Sequence, residues 1–287
     1  MSGLIYLNGI LVDAKEAVLP VTDRAYLYGE GLFETMKATQ GFIPFLSEHL
    51  DRFFFSLPAL DFHPKISREE LEHAAYQTLR QNHLQEAYLR IQLSRENEAF
   101  GSLTPSERYN LLIVAQALKK DHEALGIQGA AAVLFPDYTV RASPLTGIKS
   151  TNYAVQLRAK AFAKSHGAHE AIFADATEHL VEGASSNFFL WNGRAWLTPP
   201  LNNGPLPGVT RRVLMMLLKQ NQVPCEERSI SIHELAEAEE AILSNAIWEV
   251  LPLTQWEGRA IGSGRVGEKT KQLQQWLAEE IKKRGNP

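Results

Sequence analysis

Five consecutive polar residues, Lys119-Lys120-Asp121-His122-Glu123, divide this chain. An apolar, strand-like run stops just before them, and apolar patterning restarts only at Ile127. A chain of 287 residues exceeds the roughly 150 that one ordinary core organises, so the break reads as an interdomain linker. The expected organisation is a small N-terminal domain over 1–120, a linker over 121–127 and a larger C-terminal domain over 128–287.

Both halves mix the two hydrophobic periods. In the first, Asn8-Gly9 splits Leu4-Ile5-Tyr6-Leu7 from Ile10-Leu11-Val12, a compact hairpin signal. Strands are expected over 32–38 and 42–46, with an amphipathic helix opening at His49. Ser67 followed by Glu70 is a capping box, which starts a helix over 67–82. Residues 87–94 alternate, with Leu89, Ile91 and Leu93 on one face and Tyr88, Arg90 and Gln92 on the other. A polar loop over 96–108 and an apolar strand over 109–118 complete this half. In the second half, strands are expected over 128–135, 170–174, 179–182, 187–191, 195–198 and 241–244. Helices are expected after Tyr153, over 208–221, near 232–237 and over 266–283, with an irregular stretch over 136–146. The pattern implies an α/β (α+β) protein in two domains.

Composition excludes more than it selects. Hydrophobic residues make up 45% and charged residues 22%, ordinary for a globular chain. A net charge of −4 offers no basic face for nucleic acid. No apolar run approaches the roughly 20 residues that span a bilayer. The first residues lack a basic segment followed by an apolar core, and Cys225 is the single cysteine, so a cytoplasmic location is expected. Glu226 and Glu227 beside Cys225 disfavour a thiolate, which marks it as structural. Gly29-x-Gly31 lacks the third glycine, preceding strand and following helix of a nucleotide loop. No metal site is assigned.

The stretch Gly147-Ile148-Lys149-Ser150-Thr151-Asn152-Tyr153 carries a lysine with no acidic residue within five positions. A lysine held in a dry pocket has its ammonium form disfavoured, which frees the amine for Schiff-base chemistry. Three other features join it. Arg52 follows His49 by three residues and is suited to grip a phosphate or carboxylate. Glu182 ends a strand before the small polar run Ala184-Ser185-Ser186-Asn187. Gly208-Val209-Thr210 opens a helix whose first amides form an anion cup, and Ser244-Asn245-Ala246 offers a second turn. A lysine amine, an anion cup and a carboxylate are what pyridoxal 5′-phosphate requires.

The motifs Asp23-Arg24-x-x-x-Tyr28-Gly29-x-Gly31-x-Phe33-Glu34-Thr35, His49-x-x-Arg52, Lys149-Ser150-x-Asn152-Tyr153, Glu182-Gly183-x-Ser185-Ser186-Asn187 and Pro207-Gly208-Val209-Thr210-Arg211 occur in this order. With them the chain resembles the class IV, fold-type IV pyridoxal-phosphate enzymes over nearly its whole length. That family includes branched-chain and D-amino-acid aminotransferases and 4-amino-4-deoxychorismate lyase. The resemblance implies a small α/β domain, a larger pseudo-barrel domain and a homodimer. It implies that Lys149 is the Schiff-base lysine and general base, with Arg52, Val209, Thr210, Asn245 and Ala246 on the phosphate. Glu182 would pair with the pyridine nitrogen, Tyr153 would approach the ring hydroxyl, and Ser185 belongs to the same cofactor set.

Tyr28, Phe33, Thr35, Lys37 and Arg90 are candidate substrate residues. Tyr88-x-Arg90 is similar to the branched-chain enzymes, which carry a Gly-Thr pair where this chain has Asn245-Ala246 and a glycine in place of Thr35. Those two departures look like the lyase, although Phe100 falls where some lyases place an arginine. Phe33-x-Thr35-x-Lys37 is close to the D-amino-acid enzymes, whose Arg-x-His pair is absent after Ser94. The implied activity is transamination between an amino acid (or amine) and a 2-oxo acid. The alternative is the lyase, which yields 4-aminobenzoate and pyruvate.

Overall fold

The computed structural model describes residues 3–118 and 121–285. They form two compact units, each mixing helices with a sheet. The N-terminal unit contains β1 (Leu4–Leu7), β2 (Ile10–Asp13), α1 (Arg24–Tyr28), β3 (Gly31–Ala38), α2 (Leu46–Ser56), α3 (Arg68–Gln81), β4 (Ala87–Asn97) and β5 (Pro105–Ala117). Its five strands run in the order β2-β1-β5-β4-β3, all neighbours antiparallel.

Alternation along β4 decides which face is covered. Leu89, Ile91 and Leu93 are buried with Leu32, Met36 and Ala38 of β3 in one apolar cluster. Leu46, Leu50 and Phe53 of α2, and Leu71, Ala75 and Leu79 of α3, close over the same side. α3 begins as its sequence dictates: Ser67 accepts from the Glu70 amide, and the Glu70 carboxylate accepts from the Ser67 amide.

The second unit contains α4 (Asp121–Gln128), β6 (Ala130–Val140), α5 (Ala154–Ser165), β7 (Glu170–Asp175), β8 (His179–Gly183), β9 (Asn187–Trp191), β10 (Trp196–Thr198) and α6 (Val209–Gln220). It continues through β11 (Cys225–Glu227), β12 (Ile230–Ser231), α7 (Ile232–Ala236), β13 (Glu240–Asn245), β14 (Glu249–Trp256), β15 (Arg259–Ala260) and α8 (Glu268–Gly285). Its mixed sheet follows the order β11-β10-β9-β13-β14-β6-β7-β8-β12, with β15 on β14. The Cys225 thiol is pushed up to about 11, first by burial and then by Glu227 and Glu226 against the opposing pull of Arg211. It is therefore a protonated thiol at neutral pH.

Several local expectations need correction. Residues 42–46 are not a strand: Thr39 and Phe42 make one isolated bridge, Pro44 offers no amide, and Phe45 turns left-handed before α2 begins at Leu46. The linker expected over 121–127 is helical within α4, while Lys119 and Lys120 lie outside the described residues. β6 continues through Pro136 to Val140, because its register against β7 shifts between Leu134 and Thr139 and leaves room for a proline. β14 is a strand beyond those expected, and its Pro252 stands opposite Ile242 of β13. Pairing with β6 starts only at Leu253, so the proline lies outside that ladder.

The main departure concerns Ile148–Tyr153, counted above with the C-terminal domain, which packs with the N-terminal unit. β3 is the edge strand of that sheet, and an edge presents unpaired amides and carbonyls. Residues 148–151 cover it. The Phe33 amide donates to the Lys149 carbonyl at 2.9 Å, and the Thr151 amide donates to the Gly31 carbonyl at 2.8 Å. Leu32 and Ser150 form the bridge between them.

Gly31 permits this close approach. A Cβ there would meet Thr151 Oγ1 at 2.9 Å, the Leu93 carbonyl at 3.0 Å and Ala25 Cβ at 3.1 Å. Gly31→Val is therefore expected to push residues 148–151 off the sheet edge. Overpacking of this kind costs typically about 1–3 kcal/mol, to be read as a lowered thermal midpoint. An unchanged midpoint would contradict the packing described.

Candidate active site

The edge pairing sets the direction of the lysine. Along 148–151 the side chains alternate, so Ile148 packs against the apolar cluster under the sheet while Lys149 emerges on the other face. There its Nζ lies 4.5 Å from the centre of the Phe33 ring. The Arg90 guanidinium lies over the same ring at 3.7 Å, and the Tyr153 ring meets it edge-on at 5.6 Å. Such cation–ring contacts contribute about 0.5–1 kcal/mol each at exposed sites and more where water is excluded. Lys149 is half-buried, rather than sealed in the dry pocket expected of it.

Register extends this face. Phe33, Thr35 and Lys37 of β3 stand opposite Gln92, Arg90 and Tyr88 of β4. Directly paired residues share a face, so these six side chains form one polar and aromatic surface above the sheet. The Gln92 side-chain oxygen accepts from Arg90 Nε at 3.1 Å and Nη2 at 2.8 Å, which fixes the guanidinium plane. Tyr28 stands apart from this row, half-exposed at the end of α1, with Arg24 over its ring.

The opposite face of β3 carries a charge. Glu34 points into the apolar side and is only 1% exposed. Arg52 grips it with both arms, Nε to Oε1 at 2.7 Å and Nη2 to Oε2 at 2.7 Å, and His49 Nδ1 reaches Oε2 at 2.8 Å. His49 and Arg52 are three apart on α2, so one turn presents both. Burial alone would raise the Glu34 carboxyl, but Arg52 and His49 outweigh it and hold the group at about 2. His49 is held below its usual range by burial first, against the pull of Glu34. Because the carboxylate can only accept, the His49 proton sits on Nδ1. The arginine fork expected on a phosphate thus has two of its nitrogens committed to a carboxylate of the chain itself.

The second unit holds the remaining candidates. Glu182 lies near the end of β8, and its Oε2 accepts from the Leu206 amide at 2.9 Å. Asn187 opens β9, and its Nδ2 donates to the Leu206 carbonyl at 2.9 Å. These two bonds pin the approach to α6 from both sides. At Gly208 a Cβ would lie 2.0 Å from Asn187 Oδ1, so the amide side chain occupies the space that only glycine leaves. Gly208 caps α6 without a side-chain hydrogen bond, so the first-turn amides at Val209 and Thr210 are not covered by a cap.

Asn245 ties two turns together. Its Nδ2 donates to the Ser185 carbonyl at 3.1 Å, while its Oδ1 accepts from the Ile247 and Trp248 amides at 2.9 and 2.7 Å. Ala246 lies within the turn so formed. Ser185 donates from both its amide and its hydroxyl to Glu170 Oε2, and Ser186 donates to the same oxygen at 3.0 Å.

Within the first unit, then, Lys149, Phe33, Tyr153 and Arg90 come together, with Thr35 and Lys37 on the same face and Arg52 behind β3. Within the second, Glu182, Val209, Thr210, Asn245, Ala246 and Ser185 lie on connected turns. Sequence reading quoted Glu34 and Asn187 within its motifs without giving either a role, and it missed Glu170. Glu34 carried a signal, since a carboxylate on the apolar face of a strand requires a partner and His49-x-x-Arg52 supplies one. Glu170 carried none.

Comparison with known proteins identifies the family. The model of the amino-transferase class IV family matches residues 31–256. A putative branched-chain-amino-acid aminotransferase of Methanocaldococcus jannaschii is 33% identical over 275 residues, 94% of each chain. A D-alanine aminotransferase of Staphylococcus haemolyticus is 30% identical over 286 residues, 98% of this chain and 99% of that one. A branched-chain amino acid aminotransferase of T.th., solved with pyridoxamine 5′-phosphate, superposes with a TM-score of 0.90 at 25% identity, covering 98% of this chain and 95% of its own. The chain is an enzyme of the class IV aminotransferase family. Among its described residues no helix is long and apolar enough to cross a membrane.

The buried ionic cluster makes stability depend on pH. Glu34 titrates at about 2 in the fold against 4.5 when free, so its contribution is present above about 4.5 and lost as pH falls toward 2. That difference is worth on the order of 3 kcal/mol. His49, depressed by burial, acts with the same sign, because the unfolded chain takes up its proton first as pH falls through about 6.5. The thermal midpoint is expected to fall on acidification, most steeply below about pH 4.5. Glu34→Gln is expected to flatten that lower limb while lowering the midpoint at neutral pH, since it removes the carboxylate that Arg52 grips. A profile unchanged by the substitution would contradict the pairing.

Proposed function

We propose that this enzyme is a pyridoxal 5′-phosphate-dependent transaminase that moves an amino group between an amino acid and a 2-oxo acid, with Lys149 as its catalytic group. The observation that carries the reading is the Lys149 amine held against the Phe33 ring, with the Arg90 guanidinium on the same ring. An amine that moves a proton beside a cation that can grip a carboxylate suits an amino-acid substrate.

The residues present fit the cofactor. A phosphate needs uncovered amide donors and a cation, and α6 begins without a side-chain cap while Arg52 is aligned by Glu34. Val209 and Thr210 would hold the phosphate by their amides, with Arg52 and the turn at Asn245 and Ala246. Ser185 would support the same site. Glu182, anchored by the Leu206 amide, would face the ring nitrogen, and Tyr153 the ring hydroxyl. When bound, the pyridoxal ring supplies an electron sink for charge at the substrate Cα.

The chain's own groups do the rest. Lys149 Nζ takes the Cα proton and returns it. Phe33 shields one side of the amine from water. Arg90, its plane fixed by Gln92, holds the substrate carboxylate, with Thr35 and Lys37 bordering the side chain.

The reading includes a homodimer and a cytoplasmic location. Val21, Tyr26, Tyr28, Phe100 and Leu103 are exposed in the N-terminal unit, and the Arg24 bond to the Leu103 carbonyl and the Asn97 bonds to Thr22 and Tyr28 tie their segments together. An apolar patch of this kind supports contact with a second copy. Sedimentation of the intact chain is expected to give twice the mass of the sequence, and a monomer mass overturns this part.

Incubation of the purified protein with both enantiomers of each amino acid tests the activity. At least one donor is expected to convert the bound aldehyde to the amine form, with a 2-oxo acid released. No conversion by any donor, together with pyruvate release from aminodeoxychorismate, overturns the reading in favour of the lyase. Lys149→Ala is expected to abolish the visible absorption of the bound cofactor without unfolding the chain. Arg90→Gln is expected to raise KM for the donor roughly ten- to a hundredfold, the worth of a charge-assisted contact. An unaltered KM removes Arg90 from the substrate.

A further inference from the structure

Ser244 holds a buried hydroxyl that the fold does not use. The residue is 1% exposed, and its Oγ has no hydrogen-bond partner among the described residues. A buried polar group left unpaired is costly, so such a group calls for an explanation by a missing partner. The sequence offers Ser244 only as the first residue of the Ser244-Asn245-Ala246 turn, and the candidate set above gives its side chain no role.

Strand register shows where this hydroxyl lies. Ser244 of β13 is directly opposite Asn187 of β9 in an antiparallel pair, so the two side chains stand on the same face, with Cβ atoms about 5 Å apart. The Asn187 side chain fills the space against Gly208, the residue that caps α6. α6 itself packs on β13. The orphaned hydroxyl therefore stands beside the start of a 12-residue helix whose first amides lack a side-chain cap. The hydroxyl proton of Ser244, the uncapped amides and the positive end of the helix dipole all suit the same partner, an oxyanion.

We propose that Ser244 is a phosphate ligand: its hydroxyl donates to a phosphate oxygen of the cofactor at the N-terminus of α6, beside the Val209 and Thr210 amides. This rests on the pyridoxal-phosphate reading above and adds a residue to it. The adjoining turn explains the need. Position 246 is alanine, so it brings no hydroxyl of its own, and the Asn245 side chain is spent on Ser185, Ile247 and Trp248. A side-chain hydroxyl on this strand can come only from Ser244.

The test compares pyridoxal 5′-phosphate with pyridoxal, which lacks the phosphate, on the full chain and on Ser244→Ala and Ser244→Thr. Binding is followed by the visible absorption, and the phosphorus resonance of the bound cofactor is recorded. Ser244→Ala is expected to raise Kd for pyridoxal 5′-phosphate roughly ten- to a hundredfold and to shift the phosphorus resonance, with Kd for pyridoxal changed by less than about twofold. Its thermal midpoint without cofactor should not fall, because the hydroxyl has no partner to lose. Ser244→Thr, which keeps the hydroxyl, should restore the affinity. Equal loss of both ligands, an unchanged Kd, or a lowered midpoint without cofactor would each overturn the proposal. If the wild-type chain takes up no pyridoxal 5′-phosphate, the cofactor reading itself fails. If it does and Ser244→Ala matches it, only the role of Ser244 fails.

Discussion

Two backbone hydrogen bonds, Phe33 to the Lys149 carbonyl and Thr151 to the Gly31 carbonyl, hold the lysine of this enzyme where it is. A sheet edge must be covered or protected, and here the cover is residues 148–151, taken from far along the chain. Once that strip is laid on β3, alternation leaves no freedom: Ile148 goes under the sheet and Lys149 above it. The aromatic ring that meets the amine belongs to the same edge strand, so the lysine and its platform are fixed by one set of bonds. Side-chain placement at this site is thus largely a consequence of strand pairing, with the contacts to Phe33 refining it.

Electrostatics behind β3 complements this arrangement. Glu34 would be a liability in an apolar cluster if left alone, and Arg52 and His49 convert it into a stable anion. The cost of burial is offset by three short hydrogen bonds, and in return the guanidinium is locked in orientation. Removing either partner leaves an uncompensated charge, so the cluster ties the stability of the N-terminal unit to the geometry of one arginine.

Much of this was legible in the residues. Ser67 and Glu70 announced α3, the alternation over 87–94 announced β4 and its faces, and Asn8-Gly9 announced the first hairpin, because each signal is local and its partners lie within a few positions. The five motifs pointed to the family for the same reason. What was not legible was non-local. Nothing in Gly147 to Tyr153 states that its amides pair with β3 more than a hundred residues earlier, so the segment carrying the lysine was counted with the C-terminal domain. Pro136 misled because a register shift removes its penalty. Glu170 looked like an ordinary strand residue, and its two serine partners become visible only when β7 and the 183–187 turn are side by side.

The strip that carries Lys149 has one more implication, for how such a chain can be divided. The polypeptide enters the N-terminal unit at Ile148 and leaves it after Tyr153, so that unit is discontinuous in sequence. A fragment ending at Leu118 would expose the rim of β3, and the complementary piece would bear Lys149 with no ring beneath it. The two halves are therefore not interchangeable cassettes. Shuffling at the Lys119-Lys120 boundary would separate an amine from the surface that gives it direction, and any recombination that preserves the site has to carry these six residues along with the first sheet.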